Sequence, residues 1–320
     1  MDYRTLSISG GGVRTLASMT FLCDLAEWFQ CTYRAPLESY FNGFAGTSAG
    51  SFVALPLARG DTLDYIKHVV YDVGLMRQSI EDRTKWRPLT LPFWNASLYK
   101  GEAKRKSLSD WIDESATLAC VPMHKRLWVS AYNVDTRMPV LFDSHDIAVR
   151  DSVLALDIID ASTAAPAYYP SVIIRGEHYV DGGIGAHSPD NAVCFYSKQL
   201  MSIGTGRQCP TLFDPSSVRS GMWGVYKADV VDMLTRAPYQ MCHQVMAATW
   251  GPSRFMRING TLHHVADSTY PHDYKVSVEP DLATDANLAM CVHMGHHWFR
   301  KQSVADLKQF FDYGMTSAND

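Results

Sequence analysis

The chain has 320 residues, of which 47% are hydrophobic and 19% charged; this describes a globular protein with a substantial core and excludes a disordered or fibrous chain. Its 29 basic and 33 acidic residues leave a formal net charge of −4, so no basic excess holds nucleic acid through its phosphates. No window reaches the ~18 apolar residues needed to span a bilayer, and Met1 to Leu6 lacks the basic segment and apolar stretch of a secretory signal.

In chain order, Leu6 to Ser9 reads as a short buried strand running into Gly10-Gly11-Gly12, followed by helix-spaced Val13, Leu16, Ala17, Leu22, Leu25, Ala26 and Phe29. Tyr40 to Ala45 reads as a second strand. It enters Gly46-Thr47-Ser48-Ala49-Gly50 and then a helix to about Ala58, with Gly60 as its stop. Pro56 lies inside that helix and predicts a kink or an early end. Residues 61–125 read as helix and loop, with an aromatic, Pro-containing loop at Pro88, Pro92, Phe93, Trp94 and Tyr99. Leu127–Val134 and Pro139–Phe142 predict a hairpin, Asp151–Ser162 a helix, and Val172–Ile174 with His178–Val180 a second hairpin that delivers Asp181-Gly182-Gly183. Leu200–Ile203 is the last clear strand, and the chain from Ser216 reads as mostly helical. Two strand-turn-helix units at the start predict an α/β fold with a mostly parallel central sheet and helices on both faces. No repeat, low-complexity tract or linker interrupts the chain. We therefore expect one domain over 1–320, with a motif-bearing core at 1–210 and a mainly helical part at 211–320. The seven cysteines are scattered, odd in number and without a C-x-x-C pair. Reduced thiols and a cytoplasmic or membrane-peripheral location are the expectation.

The Gly46-x-Ser48-x-Gly50 turn has a mechanical reason: a serine on a tight strand-to-helix turn presents its hydroxyl at the top of the sheet, and the glycines make room for it. The motif alone arises by chance in roughly a tenth of chains this long; its place between strand and helix raises its weight. Ser9-Gly10-Gly11-Gly12-Val13-Arg14 offers successive N–H groups at a helix start, a nest for phosphate or a developing oxyanion. Neither a dinucleotide fingerprint nor a P-loop is present. With a serine nucleophile elsewhere, an oxyanion hole is the better reading. Arg14 is a candidate for an anionic head group, or else a surface arginine on the first turn. Asp181 at a strand end exposes a carboxylate, although Asp-Gly-Gly by itself is a turn.

Together, Gly-Gly-Gly-Val-Arg at residues 10–14, Gly46-Thr47-Ser48-Ala49-Gly50, Ala164-Ala165-Pro166-Ala167-Tyr168-Tyr169-Pro170, Asp181-Gly182-Gly183 and Ser202-Ile203-Gly204-Thr205-Gly206 resemble the patatin-like phospholipases, in order and spacing, over residues 5–206. The resemblance implies a Ser48–Asp181 dyad, an oxyanion hole from the N–H groups of Gly10, Gly11 and Gly12, and calcium-independent hydrolysis of fatty-acyl esters in glycerophospholipids through an acyl-enzyme. Membrane phospholipid is then the substrate and partner, peripheral membrane contact follows, and no cofactor or metal is called for. Ser9 stands where many members have Asp, and His187-Ser188-Pro189 where Asn-Asn-Pro is usual.

Other groups compete for attention. His187 would complete a triad in which Asp181 orients an imidazole, giving a histidine-assisted esterase or acyltransferase on soluble esters as the rival reading. A non-catalytic lipid-binding protein is the third. His263-His264 with Asp267 falls one residue short of an acyltransferase signature. His293, His296 and His297 have helical spacing but no accompanying carboxylate, which favours a solvated or partly buried helix face over a metal site. Phe93, Trp94, Leu98 and Tyr99 suit either a membrane interface or the core, and Met222 to Leu234 suits core or a subunit interface.

Overall fold

The computed structural model describes residues 3–72, 74–80, 97–207 and 230–316. Eight strands form one mixed sheet: β1 (Tyr3–Ile8), β2 (Gly43–Thr47), β3 (Arg126–Asn133), β4 (Met138–Asp143), β5 (Val172–Ile174), β6 (Glu177–Asp181), β7 (Ser197–Ile203) and β8 (Phe255–Ile258). Their order is β5-β6-β3-β2-β1-β7-β8, with β4 pairing β3. The five strands from β3 to β8 run parallel, whereas β4, β5 and β6 join by antiparallel pairs. Helices α1 (Thr15–Tyr33), α2 (Ser51–Arg59), α3 (Glu102–Ser109), α4 (Ala155–Ser162), α5 (Val230–Trp250), α6 (Asp285–Arg300) and α7 (Val304–Thr316) surround it, with shorter turns between.

Period-two alternation divides neighbouring residues of each central strand between two cores. Phe44, Val129, Met201 and Met256 join the larger core with α1 and α2. Ala45, Trp128, Leu200 and Phe255 join a smaller one with Met246 of α5. The near-continuous apolar strands of a two-sided sheet follow from this division. The second strand begins at Gly43, three residues later than expected, because Leu37–Ser39 turns as 3-10 helix. Helix α2 runs through Pro56 to Arg59 and ends at Gly60 in the left-handed region. The missing N–H therefore costs one ladder bond without ending the helix, and the Pro56 carbonyl accepts from Gly60 and Asp61.

Most of the described C-terminal residues are helical, as expected, in α5, α6 and α7, but the segment between α5 and α6 adds strands beyond that expectation. It supplies β8, an edge strand of the main sheet, and a small antiparallel pair, β9 (His263–His264) and β10 (Tyr274–Lys275). Among the described residues no helix is long and apolar enough to cross a membrane. Pro88, Pro92, Phe93, Trp94 and part of Met222–Leu234 lie outside the described residues. Tyr99 is a core residue, 3% exposed, with its hydroxyl donating to Asp281 at 2.8 Å.

Candidate active site

β1 lies between β2 and β7, so the chain leaves the first strand toward both sides of the sheet. The crevice beyond the carboxyl ends at such a switch point is where open α/β sheets receive ligands. The glycine turn follows β1 and Ser48 follows β2.

Ser48 sits at φ +52, a left-handed conformation that costs a non-glycine residue about 1–3 kcal/mol. Its surroundings hold it there. Its N–H donates to Ser162 Oγ at 3.0 Å, Ser162 Oγ donates to the Ser130 carbonyl at 2.7 Å, and Ser51 Oγ donates back to the Ser48 carbonyl at 2.6 Å. Gly50 must be glycine: a Cβ there would stand 2.3 Å from the Ile8 carbonyl oxygen.

Sheet register brings Asp181 to this serine. Thr47 pairs with Ser130, and the next residue of β3, Ala131, pairs with Asp181 on β6. The antiparallel β6 thus ends level with the last residue of β2, one strand away across β3. Asp181 is buried next to the Ser48 side chain and accepts from the Gly183 N–H at 2.7 Å. Burial pushes its carboxyl up to about 6, against the opposing pull of the Ser48 side chain, the Gly183 N–H and the Lys104 charge.

Lys104 is a residue that the motifs do not mark. It is 2% exposed, lines the cleft, pairs with Asp160 at 2.9 Å, donates to Thr163 Oγ1 at 3.2 Å and lies over the Tyr169 ring. The cleft itself is walled mainly by apolar groups, among them Val13, Phe52, Ile80, Tyr168 and Pro280, with Ser48 on its surface. Tyr168 belongs to the 164–170 segment, whose backbone is held by Leu98 and Tyr99 N–H groups and whose Ala164 carbonyl accepts from Asp181 N–H.

The glycine turn is only partly as expected. Gly10 N–H donates to the His187 carbonyl at 3.0 Å, which takes it out of the expected donor set. The N–H groups of Gly11 and Gly12 find no partner among the described residues. Gly12 is at φ +57, and Val13 N–H anchors the turn to the Pro280 carbonyl at 2.8 Å. Arg14 is 5% exposed and does not line the cleft; its Nε donates to the Gly11 carbonyl at 3.3 Å. It braces the turn from behind and is buried, which corrects the expectation of a surface arginine on the first turn. The His187 ring stacks on Tyr239. His263, His264 and Asp267 are not among the residues lining the cleft.

A family profile described as patatin-like phospholipase matches residues 6–189, more than half of the chain. The chain belongs to the patatin-like phospholipase family. Among curated proteins, it is similar to a "cGAMP-activated phospholipase" of Escherichia coli, 26% identical over 58% of this chain and 53% of its own length. One of the same name from Vibrio cholerae is 24% identical over 83% of each, and "Protein teg" of Priestia megaterium is 30% identical over 71% of this chain and 69% of its own length. The chain spans about half the length of the E. coli relative and of its Pseudomonas aeruginosa namesake. Among solved structures, VipD from Legionella pneumophila aligns over 98% of this chain and 67% of its own at a TM-score of 0.47 and 14% identity.

A second polar cluster of this patatin-like phospholipase lies under the sheet rather than in the cleft. Buried Asp190 accepts from Ser7, Ser202 and His243, and Arg257 stands 3.7 Å away. Burial would raise its carboxyl, but the bond to His243, the His243 and Arg257 charges and the Ser202 hydroxyl hold it far below the usual carboxylate range. The cluster ties β1, β7, β8 and α5 together.

Proposed function

We propose that this protein is a phospholipase A-type lipid acyl hydrolase that cleaves fatty-acyl esters of glycerophospholipids through an acyl-enzyme on Ser48, with Asp181 as the base. The observation that carries this reading is the placement of a buried carboxylate, Asp181, next to the strained Ser48 on the surface of an apolar cleft. A fatty-acyl chain occupies the cleft with its ester carbonyl over the glycine turn. Asp181 accepts the hydroxyl proton as Ser48 Oγ attacks the carbonyl carbon. The oxyanion falls to the N–H groups of Gly11 and Gly12, each worth about 3 kcal/mol in serine enzymes of this kind. As the tetrahedral intermediate collapses, Asp181 returns the proton to the leaving lysophospholipid oxygen. Water then gives up a proton to the same carboxylate, attacks the acyl-enzyme and releases fatty acid. A carboxyl near 6 serves this cycle better than an ordinary one, because a base works best with its pKa close to the working pH.

The test is lipid mass spectrometry of phosphatidylcholine and phosphatidylglycerol vesicles exposed to wild type and to Ser48→Ala, alongside labelling by a fluorophosphonate. Because several relatives are named as cGAMP-activated, each assay is run with and without that nucleotide. Free fatty acid and lysophospholipid should appear with wild type alone, and only wild type should take the label. Hydrolysis of soluble monomeric esters with no action on vesicles would replace this reading with an esterase. No label and no product would leave a lipid-binding protein.

A further inference from the structure

Three side chains far apart in sequence meet at the junction of the β9–β10 pair with α6. One ligand atom from each of His264, Asp267 and His297 lies within 4.8 Å of the others. His264 is on β9, directly across from Tyr274 of β10, Asp267 is on the loop joining the two strands, and His297 is on α6.

The hydrogen bonds around this group decide which nitrogens carry protons. The Tyr274 hydroxyl donates to the Thr261 carbonyl at 3.2 Å, so its oxygen accepts from His297 Nδ1 at 2.9 Å. Nδ1 therefore holds the proton and Nε2 presents a lone pair. That Nε2 is buried, on a residue 2% exposed, and has no hydrogen-bond partner. A lone pair left in this state costs about 1–3 kcal/mol unless something binds it. On the other ring, His264 Nε2 lies 3.2 Å from the Tyr270 carbonyl, which can only accept. His264 thus keeps its proton on Nε2 and its lone pair on Nδ1. Asp267 Oδ1 is held by the N–H groups of Thr269 and Tyr270 at 2.8 and 2.9 Å, which leaves Oδ2 to a ligand. Two neutral imidazoles, each with its outer N–H given to an oxygen, and one carboxylate oriented by backbone amides form the ligand set and the outer shell of a transition-metal centre.

We propose that His264, His297 and Asp267 bind a divalent transition metal of the zinc type, with water in the fourth position, and that the metal pins the β9–β10 pair to α6. Ligand atoms around tetrahedral zinc stand roughly 3.4 Å apart. The rings, now 3.9 Å between centroids, tilt about their outer hydrogen bonds, and exposed Asp267 moves in with its loop. The metal would act on the hydrolytic site only through structure: the segment between β10 and α6 carries Pro280, whose carbonyl anchors Val13 of the glycine turn.

The probe is Zn²⁺ itself, titrated into untagged, chelator-stripped protein against a chromophoric competitor, with Co²⁺ as a spectroscopic substitute. The expected result is one Zn²⁺ per chain with a Kd below about 1 μM, visible Co²⁺ bands of four-coordinate strength, and a Tm higher by about 4 °C at hundredfold excess of metal over Kd. His297→Gln should abolish stoichiometric binding. Asp267→Asn, at an exposed position where folding is safe, should weaken it at least tenfold. Tyr274→Phe, which removes the acceptor of Nδ1 together with the bond to the Thr261 carbonyl, should weaken it about 10–100-fold. His272→Gln should bind as wild type does. Failure of the wild-type protein to bind one Zn²⁺ at 10-fold the expected Kd, or undiminished binding by Asp267→Asn, would overturn the proposal.

Discussion

The backbone N–H of Gly10 donates to the carbonyl of His187 at 3.0 Å, joining the turn after β1 to the loop that follows Asp181. One bond thus sets the glycine turn at a fixed height over Ser48 and removes one of three N–H groups from service. In a crystal structure of the fluorophosphonate adduct, the phosphoryl oxygen should lie about 2.7–3.1 Å from the nitrogens of Gly11 and Gly12, with the Gly10–His187 bond unbroken. An adduct in which Gly10 is the donor would require that bond to open.

Ser48→Ala and Asp181→Asn should each abolish hydrolysis with the fold retained, and the double variant should be no worse than either, because groups that act as a unit lose their effect together. His187→Ala should keep activity within about tenfold of wild type. A fall of about a thousandfold or more with the fold preserved would match loss of a triad member and would make Asp181 an orienting residue.

The pH dependence follows from the raised carboxyl of Asp181. An Asp base with an ordinary pKa stays ionised well below the range of a histidine; burial lifts Asp181 to about 6, close to the ordinary histidine value. The acid limb of kcat/KM should therefore fall about tenfold per pH unit below about 6, and pH alone will not separate Asp181 from His187. Stability moves the other way. The folded pKa lies above the unfolded one, so between about 4 and 6 the folded state binds more protons, and this group's contribution is lost as pH rises through that window. A shift of about two units corresponds to about 3 kcal/mol. Urea denaturation should find Asp181→Asn more stable than wild type by about 2–3 kcal/mol at pH 7.5, with the gap closing below about pH 4.

Ser162 carries the Ser48 N–H on its side chain. Ser162→Ala should destabilise the fold by about 1–3 kcal/mol, since it leaves that donor unpaired. It should also lower kcat/KM at least about tenfold, because small displacements of a reacting group are costly. Unchanged kinetics with reduced stability would confine Ser162 to a structural role.

Local chemistry made much of this protein legible in the chain. The short apolar runs of β2, β3 and β7, the strand-to-helix turn around Ser48 and the Asp-Gly-Gly turn at 181 are all signals carried by neighbours a few residues apart, so the α/β class and the turns that carry Ser48 and Asp181 could be read directly. Tertiary structure decided whatever depends on which distant segments become neighbours. It took Gly10 out of the donor set through His187, turned Arg14 inward onto Gly11, and brought Lys104 into the cleft from a helix that bears no motif. It placed β8 on the sheet edge, where a four-residue strand amid helical segments carries too short a pattern to stand out. It drew Ser7, Asp190, Ser202, His243 and Arg257 into one buried cluster from five separate stretches. The same is true of His297: helical spacing ties it to His293 and His296, yet its ring faces His264 and Tyr274 across the packed C-terminal elements. A hydrogen bond spanning two hundred residues leaves no periodicity in the chain, because its geometry exists only after the sheet has set the register and the helices have packed against it.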